Sequence, residues 1–260
     1  MEDNFLKVAK QAALEAGRVI KKHSGKDHKL NIKNNDVSNF ATIADLEAED
    51  VVIKIISQNF PNHNIIAEES GRVNNSSNYM WVIDPLDGTI AFNAKIPYFT
   101  VSIGLLKDNQ PLIGVLNQVE AGELYWASKG RGAYVNGRRI KVSKVSELER
   151  AMFGVDFGHR VSRQNKLDVF IKPLMYKVSY LFSLGSDAAI LGLLSKGNLD
   201  VFATEGWVWD FAAGAIIVKE AGGEITDLEG KELDWTKERL NIVASNGLIH
   251  DQILEALKGK

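Results

Sequence analysis

Three short acidic stretches punctuate this chain, each set where an apolar strand ends or a helix begins: Ala67-Glu68-Glu69-Ser70, then Asp84-Pro85-Leu86-Asp87-Gly88-Thr89, then Trp209-Asp210-Phe211-Ala212-Ala213-Gly214. In the middle stretch the apolar run Trp81-Val82-Ile83 delivers Asp84 at its C-terminal end. Pro85 fixes its own φ and turns the chain, so that Asp87 comes round beside Asp84. Gly88 lets backbone approach a ligand closely. Thr89 opens a segment where a short helix can begin, its free N–H groups facing the carboxylates. Singly, these stretches are ordinary: D-P-x-D-G is a common turn, E-E-S a helix start, W-D a common dipeptide. Their joint occurrence, in order, is what requires a reason. Two carboxylates about 4 Å apart repel by about 4 kcal/mol at an effective dielectric of about 20. A larger set needs cations or raised pKa values. Hard oxygen donors without His or Cys select Mg²⁺, Mn²⁺ or Ca²⁺ over zinc, and Mg²⁺ beside helix N-termini points to phosphate chemistry.

The rest of the composition narrows the partners. Lys and Arg number 31 against 33 Asp and Glu, a formal net charge of −2, where a domain that neutralises a nucleic-acid backbone is clearly basic. The longest apolar run, Phe211 to Val218, is far short of the roughly 20 residues of a membrane span. The start, MEDNFLKVAK, puts acids first and does not read as a signal peptide. With no cysteine there is no disulfide, zinc-thiolate site or thiol nucleophile. The expectation is a soluble, cytoplasmic, catalytic protein with a small-molecule partner, no nucleic acid and no membrane.

Along the chain, apolar spacings of three and four predict a helix from Asn4 to Lys22 and a second over 43–59. Residues 21–36 are basic and read as a solvated loop, although a flap over an anionic ligand has the same composition. Buried strands are predicted at 64–67 and 80–83. An antiparallel meander follows from Tyr98 to Val142, with turns at Asp108-Asn109 and Asn136-Gly137. The second half alternates: strands at 151–156, 178–182, 199–203, 224–227 and 241–244, with helices near 163–172, 187–195, 210–221 and 247–258. That alternation predicts a layered α/β arrangement. The expected halves are 1–145, with the antiparallel sheet and acidic motifs, and 146–260, with the substrate-reading region, packed as one unit.

With these residues in view, the sequence resembles the inositol monophosphatase family of metal-dependent, lithium-sensitive phosphatases. The family's patterns stand as AEES at 67–70, WVIDPLDGT at 81–89 and WDFAAGAIIVKEAGG at 209–223, with ATIAD around Asp45, GRGAYVNG at 130–137 and SNGLIHD at 245–251. The resemblance implies a layered αβαβα sandwich of the inositol monophosphatase and fructose-1,6-bisphosphatase type, assembled as a homodimer. It implies a first Mg²⁺ on Glu68, Asp84 and the Leu86 carbonyl, and a second on Asp84, Asp87 and Asp210. A third, weaker ion rests on Glu68 and waters, and Mn²⁺ can substitute. Thr89, paired with Asp45, would orient and deprotonate the attacking water, and the Gly88 and Thr89 N–H groups would bind phosphate.

The alcohol-reading region departs from the family pattern. Phe182 stands where many members have an arginine, and Ala203 where inositol-processing members have an acid, with Glu205 two residues on. Asp187 follows Gly185-Ser186 where a small residue is usual. Gly185, Ser186, Asp187 and Glu205 are therefore the expected substrate-binding residues. The reaction read here is hydrolysis of a small polyol phosphate by a metal-activated water. Myo-inositol monophosphate is favoured, with fructose 1,6-bisphosphate beside it, over histidinol phosphate or 3′-phosphoadenosine 5′-phosphate. A haloacid-dehalogenase-type phosphatase needs its two aspartates two residues apart, and here they lie three apart. A Ser-His-Asp hydrolase lacks a placeable histidine: the five histidines are expected in surface or capping roles. A non-catalytic binding protein on the same fold is the reading from another class. Loss of a metal ligand would favour it, and none is lost.

Overall fold

The computed structural model describes residues 2–33 and 35–259. The first part of the chain carries helices α1 (Glu2–His23), α2 (Ile43–Asn59) and the short α3 (Thr89–Asn93). Its strands are β1 (Asn31–Ile32), β2 (Phe40–Ala41), β3 (Asn64–Ala67), β4 (Gly71–Val73), β5 (Tyr79–Asp87), β6 (Thr100–Lys107), β7 (Gln110–Gln118), β8 (Glu123–Ser128), β9 (Ala133–Val135) and β10 (Arg138–Arg139). Strands β3 to β10 form an eight-stranded sheet in the order β10-β9-β8-β7-β6-β5-β3-β4. From β6 to β10 it is the predicted antiparallel meander; β5 adds to it antiparallel through β6, and β3 joins parallel to β5. Asn136 and Gly137 both take positive φ, the conformation that a two-residue hairpin of this hand requires.

The second part carries β11 (Met152–Val155), α4 (Arg163–Lys166), a π-helical turn at Leu167–Ile171, α5 (Lys172–Leu174), β12 (Tyr180–Ser183), α6 (Asp187–Ser195), β13 (Val201–Trp207), α7 (Val208–Glu220), β14 (Glu224–Thr226), β15 (Arg239–Ser245) and α8 (His250–Leu257). The strands form a five-stranded mixed sheet, β12-β11-β13-β15-β14. The layers follow from which faces are apolar. Small residues on α1 and α2 (Ala9, Ala13, Ala16, Ala44, Ala48) let those helices lie close on the outer face of the first sheet. Helices α6 and α7 are apolar nearly all round and are buried between the two sheets. Helices α5 and α8 cover the outer face of the second sheet. The result is the αβαβα sandwich.

Two backbone details set the position of the acidic motifs. In a regular strand Asp84 and Asp87, three residues apart, point to opposite faces. Here Asp84 pairs with Ser102 and Asp87 with Thr100, so three steps on β5 match two on β6. The extra residue of this bulge turns both carboxylates to one face, and Pro85, which has no N–H to give a ladder, sits inside it. On that same face Gly104 and Gly114 lie opposite each other, and α7 rests on them. A Cβ at Gly114 would lie 2.2 Å from the Ala213 carbonyl, and one at Gly104 2.9 Å from the Ala212 Cβ. Gly114→Ala is therefore expected to lower stability by about 1–3 kcal/mol, the usual range for overpacking, measured as a shift of the urea midpoint with the slope unchanged.

The structure also differs from the sequence reading in places. Strand β13 runs on to Trp207, and α7 starts two residues earlier than predicted. The basic run at 21–36 contains the β1–β2 hairpin partner strand and is not a plain solvated loop. His250 is not at the surface: it is buried, with Thr226 Oγ1 and Ser245 Oγ each 2.9 Å from its two ring nitrogens. His63 stacks between Phe60 and Tyr79, and its Nδ1 accepts the Trp81 indole N–H at 3.1 Å. That places Trp81 in the core, while Trp207 and Trp209 stack on each other with centroids 5.0 Å apart at the start of α7.

Candidate active site

Each acidic side chain is delivered by the end of an element and pinned through one oxygen. Asp84 Oδ1 accepts the Leu86 N–H at 3.0 Å. Asp87 Oδ2 accepts the Ser186 hydroxyl at 2.7 Å and the Ala188 N–H at 2.6 Å, so this β5 residue also caps the head of α6. Asp210 Oδ2 accepts the Trp207 N–H at 2.6 Å, closing the head of α7. Glu68 Oε1 accepts the Lys33 ammonium at 2.8 Å, and Lys33 also reaches Glu69 at 2.6 Å. One oxygen of each of the four acids, Glu68, Asp84, Asp87 and Asp210, has no hydrogen-bond partner among the described residues. Among the described residues the one fully enclosed side-chain oxygen without a partner is Asp36 Oδ2, so these four oxygens are not completely enclosed.

The electrostatics are those of crowded, desolvated carboxylates. Burial, then the charges of Glu68, Asp87 and Asp210, push Asp84 well above its ordinary range. Burial pushes Asp87 up to about 7 against the hydrogen bonds from Ser186 and Ala188. Burial and the Asp87 charge raise Asp210, and burial and the Glu68 charge push Glu69 to about 7. Burial lowers the Lys33 ammonium, but the charges and hydrogen bonds of Glu68 and Glu69 outweigh it and hold it raised. Among the described residues no three acidic or histidine side chains close around one point, since each is turned toward its internal donor. The donors nonetheless fit a divalent cation in kind: all are hard oxygens, and each keeps one oxygen free.

Beside them, Thr89 Oγ1 lies 2.9 Å from Asp45 Oδ1 and 3.0 Å from the Leu86 carbonyl. Asp45 is fully buried in the first turn of α2, where its Oδ2 accepts the Thr42 N–H at 2.7 Å and the Thr42 hydroxyl at 2.6 Å. Burial pushes Asp45 up to about 6 against those bonds. Gly88 has φ +98°, and a Cβ there would lie 3.0 Å from the Tyr98 carbonyl and 3.2 Å from the Ser186 Cβ, so only glycine suits the turn. The Gly88 and Thr89 N–H groups stand at the head of α3, where no helical carbonyl reaches them.

The substrate-side residues are less uniform. Gly185 takes a positive φ of 70°. Ser186 does not offer its hydroxyl to open space: the hydroxyl donates to Asp87, and its oxygen accepts the Ala189 N–H at 3.2 Å. Asp187 is buried at the first position of α6. Glu205 sits on β13 on the same face as Ala203, which is packed into the outer core, and among the described residues its carboxylate has no partner. Phe182 is exposed on the edge strand β12, its ring 4.9 Å from that of Tyr180.

Four groups were not singled out in the sequence. Glu49, one turn after Asp45 on α2, accepts the Glu69 and Ser70 N–H groups at 2.9 and 2.7 Å and so fixes the turn that carries Glu68. The i,i+4 spacing from Asp45 was the signal for it. Lys33 was only one of five lysines in a basic run. Asp156 follows an apolar strand as Asp84 does, and it pairs with the buried Lys166.

Comparison with known proteins follows this geometry. The chain matches the inositol monophosphatase family over residues 1–260. It is 36% identical over 258 residues to the fructose-1,6-bisphosphatase/inositol-1-monophosphatase of Aquifex aeolicus, covering 98% of this chain and 95% of that protein. The crystal structure of extragenic suppressor protein suhB from Bartonella henselae superposes with a TM-score of 0.91 at 32% identity, covering 98% of each chain. The inositol monophosphatase of Anabaena superposes with a TM-score of 0.84 at 35% identity, covering 99% of this chain and 96% of that one.

Proposed function

The chain belongs to the inositol monophosphatase family and is a phosphomonoesterase, and we propose from that premise that it hydrolyses a small polyol phosphate with divalent cations, by direct attack of water on phosphorus. The observation that carries this reading is the set of four carboxylate oxygens left without a hydrogen-bond partner next to the Asp45–Thr89 pair. Glu68, Asp84 and the Leu86 carbonyl would hold one Mg²⁺, and Asp84, Asp87 and Asp210 a second. A third, weaker ion would rest on Glu68, and Mn²⁺ would serve in place of Mg²⁺. When bound, such ions neutralise phosphate oxygens and acidify a water.

The chain's own groups do the rest. Thr89 Oγ1 gives its proton to Asp45 Oδ1, which leaves the hydroxyl oxygen free to accept the proton of the attacking water. Asp45, held by two bonds from Thr42, is kept in place to receive charge. The Gly88 and Thr89 N–H groups donate to the phosphate oxygens, and Gly88 lets the ester approach closely. Glu49 holds the Glu68 turn. Gly185, Ser186, Asp187 and Glu205 form the side that meets the alcohol, Ser186 by fixing Asp87.

The first-choice substrate is myo-inositol monophosphate, with fructose 1,6-bisphosphate second. Relatives named as inositol monophosphatase and as fructose-1,6-bisphosphatase/inositol-1-monophosphatase support this pair of esters. A cytoplasmic homodimer whose parts 1–145 and 146–260 pack as one unit completes the reading. Among the described residues no helix is long and apolar enough to cross a membrane. Kinetics on these two esters, histidinol phosphate and 3′-phosphoadenosine 5′-phosphate in Mg²⁺ test the substrate. Inositol monophosphate is expected to have the highest kcat/KM. A value for histidinol phosphate tenfold above it, about 1.4 kcal/mol of transition-state binding, would overturn the choice.

A further inference from the structure

The acids of the site come from two different layers. Asp84 and Asp87 stand on β5 and Glu68 directly follows β3, so these three belong to the first sheet. Asp210 belongs to α7, the helix buried between the sheets. The first cation, on Glu68, Asp84 and the Leu86 carbonyl, would draw on the sheet alone. The second, on Asp84, Asp87 and Asp210, needs sheet and helix held at one spacing. The acids themselves do not fix that spacing. Asp87 reaches across to the head of α6, but among the described residues Asp84 bonds only within β5 and Asp210 only within its own turn.

A hydroxyl does. Ser102 lies on β6 directly opposite Asp84 in the antiparallel pairing. It is fully buried, and its Oγ donates at 3.1 Å to the carbonyl of Trp209, the residue before Asp210. Among the described residues this is the one hydrogen bond from the first sheet to the first turn of α7. Two residues along β6, on the same face, Gly104 lets the helix close in: a Cβ there would lie 2.9 Å from the Ala212 Cβ. Ser102 thus bonds the helix where Gly104 brings it near, beside the two acids that must converge. Those acids are close enough for the Asp210 charge to raise Asp84.

Formation of α7 does not depend on this bond. A carbonyl in the first turn is taken up by the helical N–H four residues on, and its second lone pair is spare. The Ser102 hydroxyl uses that spare pair. It holds a finished helix at one place on the sheet, which separates positioning from folding. The next hydroxyl on the same face, Thr100, makes no comparable tether: its Oγ1 stands 3.5 Å from Ser186 Oγ, whose proton is given to Asp87.

We infer that Ser102 is a positioning residue: its hydroxyl sets the spacing between Asp84 on the first sheet and Asp210 on α7, and through that spacing the hold on the second divalent cation. This rests on the phosphatase reading above and adds to it a residue that touches neither cation nor substrate. Loss of the hydroxyl frees the head of α7 to shift against β5. The donors of the first cation, all from the ends of β3 and β5, keep their places.

The test titrates the intact chain with Mn²⁺ in the absence of substrate and reads the EPR signal of the free ion, which separates the two binding steps. Ser102→Ala is expected to weaken the second step about tenfold or more, the lower end of what losing an outer-sphere partner of a metal ligand costs, and to leave the first within about twofold. Ser102→Thr, which keeps the hydroxyl, is expected to bind both ions as the wild type does. Ile253→Val, on α8 in the outer core, lowers stability alone and is expected to change neither step. If Ser102→Ala does not fold, Ser102→Cys, of similar size with a weak donor, carries the same expectation. Equal weakening of both steps, or no change in the second, would overturn the inference, as would the same selective loss in Ile253→Val. A wild type that holds no second Mn²⁺, or that releases no phosphate from myo-inositol 1-phosphate with Mn²⁺ present, would overturn the cation-dependent reading instead.

Discussion

Asp84→Asn is expected to reduce kcat/KM by more than about 10²-fold, and by more than Asp87→Asn or Asp210→Asn. Loss of a group that merely supports a metal ligand costs about 10–100-fold, and Asp84 is assigned to both ions. Its position explains the ranking. The charges of Glu68, Asp87 and Asp210 all raise Asp84, which places it within reach of the other three acids. Asparagine keeps the shape and one acceptor oxygen but removes the charge that would lie between two divalent cations, which then repel each other across a low-dielectric site. Asp87 and Asp210 also cap α6 and α7, so their asparagine variants are expected to lose some stability along with activity. Asp84→Asn, whose oxygen accepts only the nearby Leu86 N–H, is expected to unfold near the wild-type temperature. Steady-state kinetics with thermal melts of the three variants check this, and a ranking with Asp84→Asn the mildest would remove it from the bridging role.

Thr89→Ala and Asp45→Asn are expected to lower kcat by about 10²- to 10⁴-fold, the size of a general-base contribution, with Mg²⁺ affinity nearly intact. Neither side chain is assigned to a cation. Thr89 Oγ1 spends its proton on Asp45 or the Leu86 carbonyl, and Asp45 is enclosed by Thr42. The pH profile carries the same assignment. Burial pushes Asp45 up to about 6, so it is protonated and inactive as a base below that point. The rate of the wild type should fall roughly tenfold per pH unit on the acid side of about 6, and that limb should vanish in Asp45→Asn. Calorimetric loss of Mg²⁺ binding in either variant would move that residue onto the ligand set.

How far these features could be read in the sequence depended on their range. The acids of the cluster were legible because each follows an apolar run or opens a helix, so a short local pattern fixes its place. The convergence of Asp84 and Asp87 rested on Pro85 as a turn; the physical device is a bulge against β6, a long-range pairing that no local pattern encodes. The alternating second half gave its strands and helices, but the extension of β13 to Trp207 depends on seven paired residues of β15. Glu49 and Asp156 had local signals that were passed over. Lys33 and Lys166 had none, since a lysine's role is set by what its long stem reaches. His250 was misplaced for the same reason: its partners, Ser245 and Thr226, come from two strands of one sheet. The Gly104–Gly114 groove for α7 is likewise visible only when strands and helix are brought together.

The most direct test of the metal-dependent reaction is phosphate release from myo-inositol 1-phosphate by the intact chain after exhaustive EDTA treatment, followed by titration with Mg²⁺. With four carboxylate oxygens left without a partner, and with no cation other than Lys33 hydrogen-bonded to any of these acids among the described residues, the phosphate's charge is not met by the side chains of this cluster. Activity is expected to be abolished in EDTA and restored by Mg²⁺. Undiminished turnover in EDTA would contradict the account.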